Sequence, residues 1–101
     1  MDVQSIELKH NVTERLKQVI DPETGVDVIR MRLIEDLEVD GETGTVRYKF
    51  RPSSPVCPIA VHLALAIRSA VASVPGVKEQ EIEVVGYVGA KELNALLQEE
   101  R

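Results

Sequence analysis

Apolar positions along the chain change their period several times. In SIELKHNVTERLKQVI, Leu8, Val12, Leu16, Val19 and Ile20 recur at helical spacing, with charged residues between them. The spacing predicts an amphipathic helix from about Ser5 to Ile20. Asp21-Pro22 stops it, because the residue before a proline avoids helical dihedrals. The segment ETGVDVIRMRL then reads as a glycine-containing loop followed by a short extended stretch.

LEVDGETGTVRYKFR switches to a period of two. Leu37 and Val39 alternate with Asp36, Glu38 and Asp40. Beyond a turn at Gly41–Gly44, Val46, Tyr48 and Phe50 alternate with Arg47, Lys49 and Arg51. With Asp40 opposite Thr45, Glu38 faces Arg47 and Asp36 faces Lys49. Each such opposite-charge pair across antiparallel strands contributes roughly 0.2–1 kcal/mol. In this register the apolar set points together at a core. The basic row alone would resemble an anion-binding stripe; set against the acidic row, it reads as a solvated face neutralised across the hairpin.

Helical spacing returns after residue 57. Pro58 suits a first helical position, where a missing N–H costs nothing, which places Cys57 at or near the N-cap. Ile59, Leu63, Ile67, Ala70 and Val74 form the expected buried stripe, and Pro75-Gly76 ends the helix. Val61 and Leu65 widen its apolar face, toward the first helix or, less economically, toward a second subunit. QEIEVVGYV supplies another strand, alternating Ile82 and Val84 against Glu81 and Glu83. A strand–helix–strand passage brings it back parallel to the second hairpin strand, so the sheet is mixed. AKELNALLQEER, with Leu93, Leu96 and Leu97, reads as a terminal helix over about 90–99. Glu99 and Glu100 oppose its dipole and predict fraying.

The pattern therefore predicts an α+β fold, a small two-layer α/β domain in the order α-β-β-α-β-α. Its three-stranded mixed sheet contains a β-hairpin, with helices packed on it. The 101 residues read as a single domain, with no repeat or low-complexity linker.

Composition narrows the function classes. Apolar residues are 44% and charged residues 29%, the balance of an ordinary globular domain. A net charge of −5, with no Trp, one Phe and two Tyr, argues against nucleic acid as a partner. The longest apolar run, around residues 56–67, is interrupted by His62 and too short to span a bilayer. The N-terminal residues lack a signal-peptide pattern, and a lone cysteine makes no internal disulfide. The expected setting is cytoplasmic, with no membrane partner.

Two features carry candidate chemistry. Cys57, the only cysteine, lies between Pro55 and Pro58. At a helix N-terminus the dipole and free N–H groups favour thiolate over thiol, which suits nucleophilic or metal-ligand chemistry. The competing reading is a small buried hydrophobe. On the first reading, the thiol is partly accessible in the loop of residues 52–57. His62, five residues on, is rotated by roughly 140° around the helix from Cys57, and spacing does not bring His10 to the thiol. One thiol does not complete a zinc or iron–sulfur site, so any metal would be shared with a second subunit or a client protein. The other feature is Asp21-Pro22-Glu23: either a helix stop and polar turn, or two carboxylates held stiffly enough to meet a metal or an incoming amide.

VIDPETGVDVIRMRLI, the acidic hairpin, SSPVCPIA and an apolar helix ending in PGV together resemble the iron–sulfur-cluster-assembly domain family. That family includes SufT-like and PaaD-like proteins and the eighteen-kilodalton MMS-nineteen-interacting protein. The resemblance covers about residues 10–85. It implies that Asp21, Glu23 and Cys57 stand at the family's acidic and thiol positions. Met31–Glu35 replaces a common Leu-Gly-Leu-Val/Ile-Tyr run. Arg51–Val56 replaces a threonine-rich stretch with a glycine, leaving Ser53 and Ser54 to supply hydroxyls.

The leading expectation is an assembly or carrier factor. It would bind iron or an iron–sulfur cluster transiently through Cys57, with Asp21 and Glu23 shaping the adjacent surface. Its partners would be client apo-proteins or other assembly factors, and the extra apolar positions also suggest a weak homodimer. A PaaD-like adapter subunit of a metalloenzyme complex, with a structural Cys57, is the alternative. A thiol enzyme fits least, since spacing positions no base.

Overall fold

The computed structural model describes residues 3–99, of Glu99 only the backbone. Leu8, Val12 and Leu16 are buried along one face of α1 (Val3–Leu16). The helix ends earlier than the period predicts. Val19 and Ile20 leave it because tertiary pairing wins. Ile20 bridges Asp27, and the Val19 carbonyl accepts the Val28 N–H at 3.0 Å. The expected extended stretch after it is instead a tight turn. The Asp27 carboxylate accepts the N–H groups of Ile29 (3.1 Å) and Arg30 (3.0 Å), and its carbonyl accepts that of Met31 at 3.1 Å.

The hairpin forms from β1 (Ile34–Asp40) and β2 (Thr45–Phe50), antiparallel, with Asp40 opposite Thr45 and Glu38 opposite Arg47. Below that point the predicted register fails by one residue. Lys49 faces Glu35, and Asp36 bulges out with φ 51°. The cause is legible in the spacing. Ile34 and Leu37 are an odd number apart, and only an inserted residue turns both toward the core with Val39. The Asp36 carboxylate still reaches Lys49 Nζ at 3.4 Å, whereas Arg47 turns from Glu38 to Glu81 at 4.0 Å. Asp40 ties the turn: its carbonyl accepts the Gly44 N–H at 2.9 Å and its carboxylate that of Glu42 at 3.0 Å.

α2 (Ala60–Ala72) crosses to β3 (Glu79–Val84), which pairs parallel to β2 and gives the order β1-β2-β3. α2 buries Ala60, Leu63, Ala64, Ile67 and Val71; of the expected stripe Leu63, Ile67 and, just beyond the helix, Val74 are buried as predicted. Ile59 and Ala70 are only half-buried, Val61 faces solvent, and Leu65 packs against the core. α3 (Ala90–Glu99) buries Leu93 and Leu97 but leaves Leu96 outward. The fraying expected at Glu99 and Glu100 concerns side chains outside the described residues.

The helices cover one sheet face around Val46, Tyr48, Phe50 and Val84, while the charged alternation partners occupy the other. One polar chain crosses this core. The Tyr48 hydroxyl donates to Gln80 Oε1 at 2.8 Å, and Gln80 Nε2 donates to the Arg68 carbonyl at 2.8 Å. Burial pushes the Tyr48 phenol above the usual tyrosine range, opposed in part by the Arg68 charge. This is the predicted α+β fold, in the predicted order α-β-β-α-β-α. No helix among the described residues is long and apolar enough to cross a membrane.

Candidate functional site

Two successive turns explain the Pro-Val-Cys-Pro sequence. The Cys57 N–H donates to the Ser54 carbonyl at 3.1 Å, and the Cys57 carbonyl accepts the Ala60 N–H at 3.4 Å. Pro55 and Pro58 stand second in these turns, where a fixed φ of about −65° is already correct. Cys57 is the corner common to both. Helical bonding begins one step later, with the Leu63 N–H on the Ile59 carbonyl at 2.9 Å. The N-cap is Ile59, which offers no side-chain acceptor. The thiol thus sits two residues before the cap, and Pro58 serves a turn rather than the first helical position.

The corner aims Cys57 inward. It is only 5% exposed, which corrects the expectation of a partly accessible thiol, while its neighbour Val56 is 68% exposed. Turn geometry decides this: the chain reverses at Pro55-Val56, leaving Val56 at the tip and Cys57 at the foot of α2. The thiol is free, and no hydrogen bond to it is present among the described residues. The loop meets the rest of the molecule where the Val88 N–H donates to the Pro55 carbonyl at 2.8 Å. Val88 is also exposed, at 73%, so the two loops joined by this bond each carry an exposed apolar side chain, Val56 and Val88.

Pattern reading missed Val88, because it took QEIEVVGYV as strand throughout. The strand ends at Val84, and Gly86, with φ 65°, turns the chain across Arg51. A Cβ at Gly86 would lie 2.5 Å from Arg51 Nη1. That glycine was the available signal.

The Asp-Pro-Glu element is a closed turn. The Asp21 carboxylate accepts the Glu23 N–H at 2.8 Å, and the Asp21 carbonyl accepts that of Gly25 at 2.8 Å. Its own N–H donates to the Val26 carbonyl at 3.0 Å. Asp21 is buried at 2% exposed, and Glu23 faces solvent. Among the described residues no hydrogen bond joins either carboxylate to Cys57, and no group of three or more His, Cys, Asp and Glu could hold a metal ion. His10 lies 4.0 Å from Glu14 on the outside of α1, and His62 is exposed on α2. Neither forms a dyad with the thiol.

A two-layer α+β domain with one buried thiol at a proline-bracketed corner is the class that fold and site define. Residues 9–84 match the family described as iron-sulfur cluster assembly protein, and the chain belongs to that family. It is 41% identical over 91 residues to an uncharacterized protein of Methanocaldococcus jannaschii, covering 90% of this chain and 95% of that one. It is 36% identical over 78 residues to the Fe-S protein maturation auxiliary factor YitW of Bacillus subtilis, covering 77% and 76%. A crystal structure of a domain of unknown function, DUF59, from Bacillus anthracis superposes with a TM-score of 0.73 at 26% identity, covering 96% of each chain.

Proposed function

We propose that this protein works in the maturation of iron–sulfur proteins as a binding factor rather than a catalyst, in the cytoplasm. It holds iron or a cluster transiently on the Cys57 thiolate and passes it to a client apo-protein. The observation that carries the reading is the Cys57 corner: the one thiol, free of any disulfide, held between two proline turns at the foot of α2. Membership of the assembly family supports it. A single thiolate leaves most of a cluster's coordination open, so the remaining ligands come from the client, another assembly factor or a second copy. Because the thiol is buried, loading requires the corner around Cys57 to open, and the Val88–Pro55 hydrogen bond is a contact that opening would release. Asp21 holds its own turn together, and Glu23 presents a solvated carboxylate that a client could meet.

Burial of the thiol favours a second reading, a non-catalytic adapter of a metalloenzyme complex in which Cys57 only packs. Anaerobic reconstitution with iron and sulfide separates the two. For the carrier, wild type gains visible absorption and a mass above one chain, and Cys57→Ala gains neither while remaining folded. Equal absorption in both proteins would remove the thiol from the proposal. A thiol alkylated only after unfolding would favour the adapter.

A further inference from the structure

The two edges of the sheet are built differently. β1 carries the Asp36 bulge, which breaks the spacing of its outer peptide groups. β3 is regular. The N–H groups of Glu79 and Val85 point inward, to the carbonyls of Gly44 (3.2 Å) and Phe50 (3.0 Å). Strand alternation then aims the peptide groups of Gln80, Ile82 and Val84 outward. At Val84 both are met by α3, since Asn94 Oδ1 accepts the N–H at 2.7 Å and Asn94 Nδ2 donates to the carbonyl at 3.2 Å. Gln80 and Ile82 have no such cover among the described residues, and their N–H and C=O groups line the strand's open side. A groove follows this edge, lined on its helix side by Arg68, Ala72, Val77, Leu97 and Gln98 and continuing onto the charged rows of the sheet's solvent face.

Charge selects the occupant. Glu79, Glu81 and Glu83 project from the solvent face of β3, and on its inner side β2 sets Thr45, Arg47 and Lys49 opposite them. Glu81 is engaged by Arg47, whereas Glu79 and Glu83 have no ion pair among the described residues. A second copy of β3 would bring glutamates against glutamates. A strand resembling β2, alternating basic and apolar residues, would match them.

We propose that the β3 edge, from Glu79 to Ile82, takes up an extended basic segment of a partner protein as a fourth strand. The outward peptide groups of Gln80 and Ile82 form the ladder, and the glutamate row selects basic side chains. The groove behind the edge takes the alternate, apolar ones. This surface is independent of Cys57 and does not rest on the cargo reading.

The test titrates the ¹⁵N-labelled chain with a synthetic peptide copying residues 44–51 and with the same peptide carrying Arg47→Glu, Lys49→Glu and Arg51→Glu. Saturable shifts centred on the Gln80 and Ile82 amides are expected, with affinity lower by about tenfold or more for the acidic peptide. The Glu81→Lys/Glu83→Lys double variant should reverse the order of the two peptides. Ile82→Pro should abolish the shifts while unfolding cooperatively, because a proline whose missing N–H faces outward is tolerated at an edge. The proposal is overturned by no shift at either amide, by shifts centred on β1, or by indifference to peptide charge.

Discussion

The turn at Asp21 and the corner at Cys57 were the two places where the sequence offered chemistry, and the fold treats them oppositely. Asp21 is consumed. Its carboxylate, carbonyl and N–H all have partners within residues 21–26, and the side chain is buried. At Cys57 only the backbone is engaged, in two turns that any residue could make, and the thiol has no structural bond among the described residues. A functional-looking residue is thus best judged by what the fold would lose without it. For Asp21 that loss is the acceptor of the part-buried Glu23 N–H; for Cys57 it is one sulfur atom of packing.

Four substitutions would break or sharpen this contrast. Asp21→Ala leaves the Glu23 N–H unpaired and should cost about 1–3 kcal/mol in denaturant unfolding, most of it recovered in Asp21→Asn. A loss below about 0.5 kcal/mol would mean that the turn closes without its carboxylate. Cys57→Ala removes a small buried group and should cost about 1 kcal/mol, with near-normal cooperativity. A cost of several kcal/mol would turn the corner into a packing site like any other. Glu23→Gln, at a solvated position, should move stability by no more than about 0.5 kcal/mol. A larger fall would show that the two carboxylates act as a unit.

Much of the architecture was legible because period carries it. Helical spacing at Leu8, Val12 and Leu16, and alternation at Val46, Tyr48 and Phe50, both survive into the buried set. Reading failed where distant backbone pairs override local preference. Val19 and Ile20 continue the helical spacing yet join a bridge to residues 27–28. The Asp36 bulge was readable in principle, from the odd interval between Ile34 and Leu37, but the hairpin's charges suggested an unbroken ladder. The candidate site was legible as residue types rather than as exposure. Proline on both sides of Cys57 marked a special backbone, and helix-start rules placed it at the cap. The choice between cap and double turn rests on whether the Ala60 N–H bonds the Cys57 carbonyl, a three-residue bond that composition does not encode.

The bulge has a consequence for how this chain tolerates changes of length. Asp36 has no opposite residue, so removing it leaves every other observed pairing intact: Ile34 with Phe50, Glu35 with Lys49, Glu38 with Arg47. A deletion there should be far milder than one at Glu38, which would force the residues before it to the wrong face. What the deletion would forfeit is the irregular outline of β1. The shortened strand would present an evenly spaced row of peptide groups on this side too, open to an extended segment whose basic side chains match the acidic face of β1. Asp36 is therefore dispensable to the pairing of the hairpin and protective against strand addition at the β1 edge.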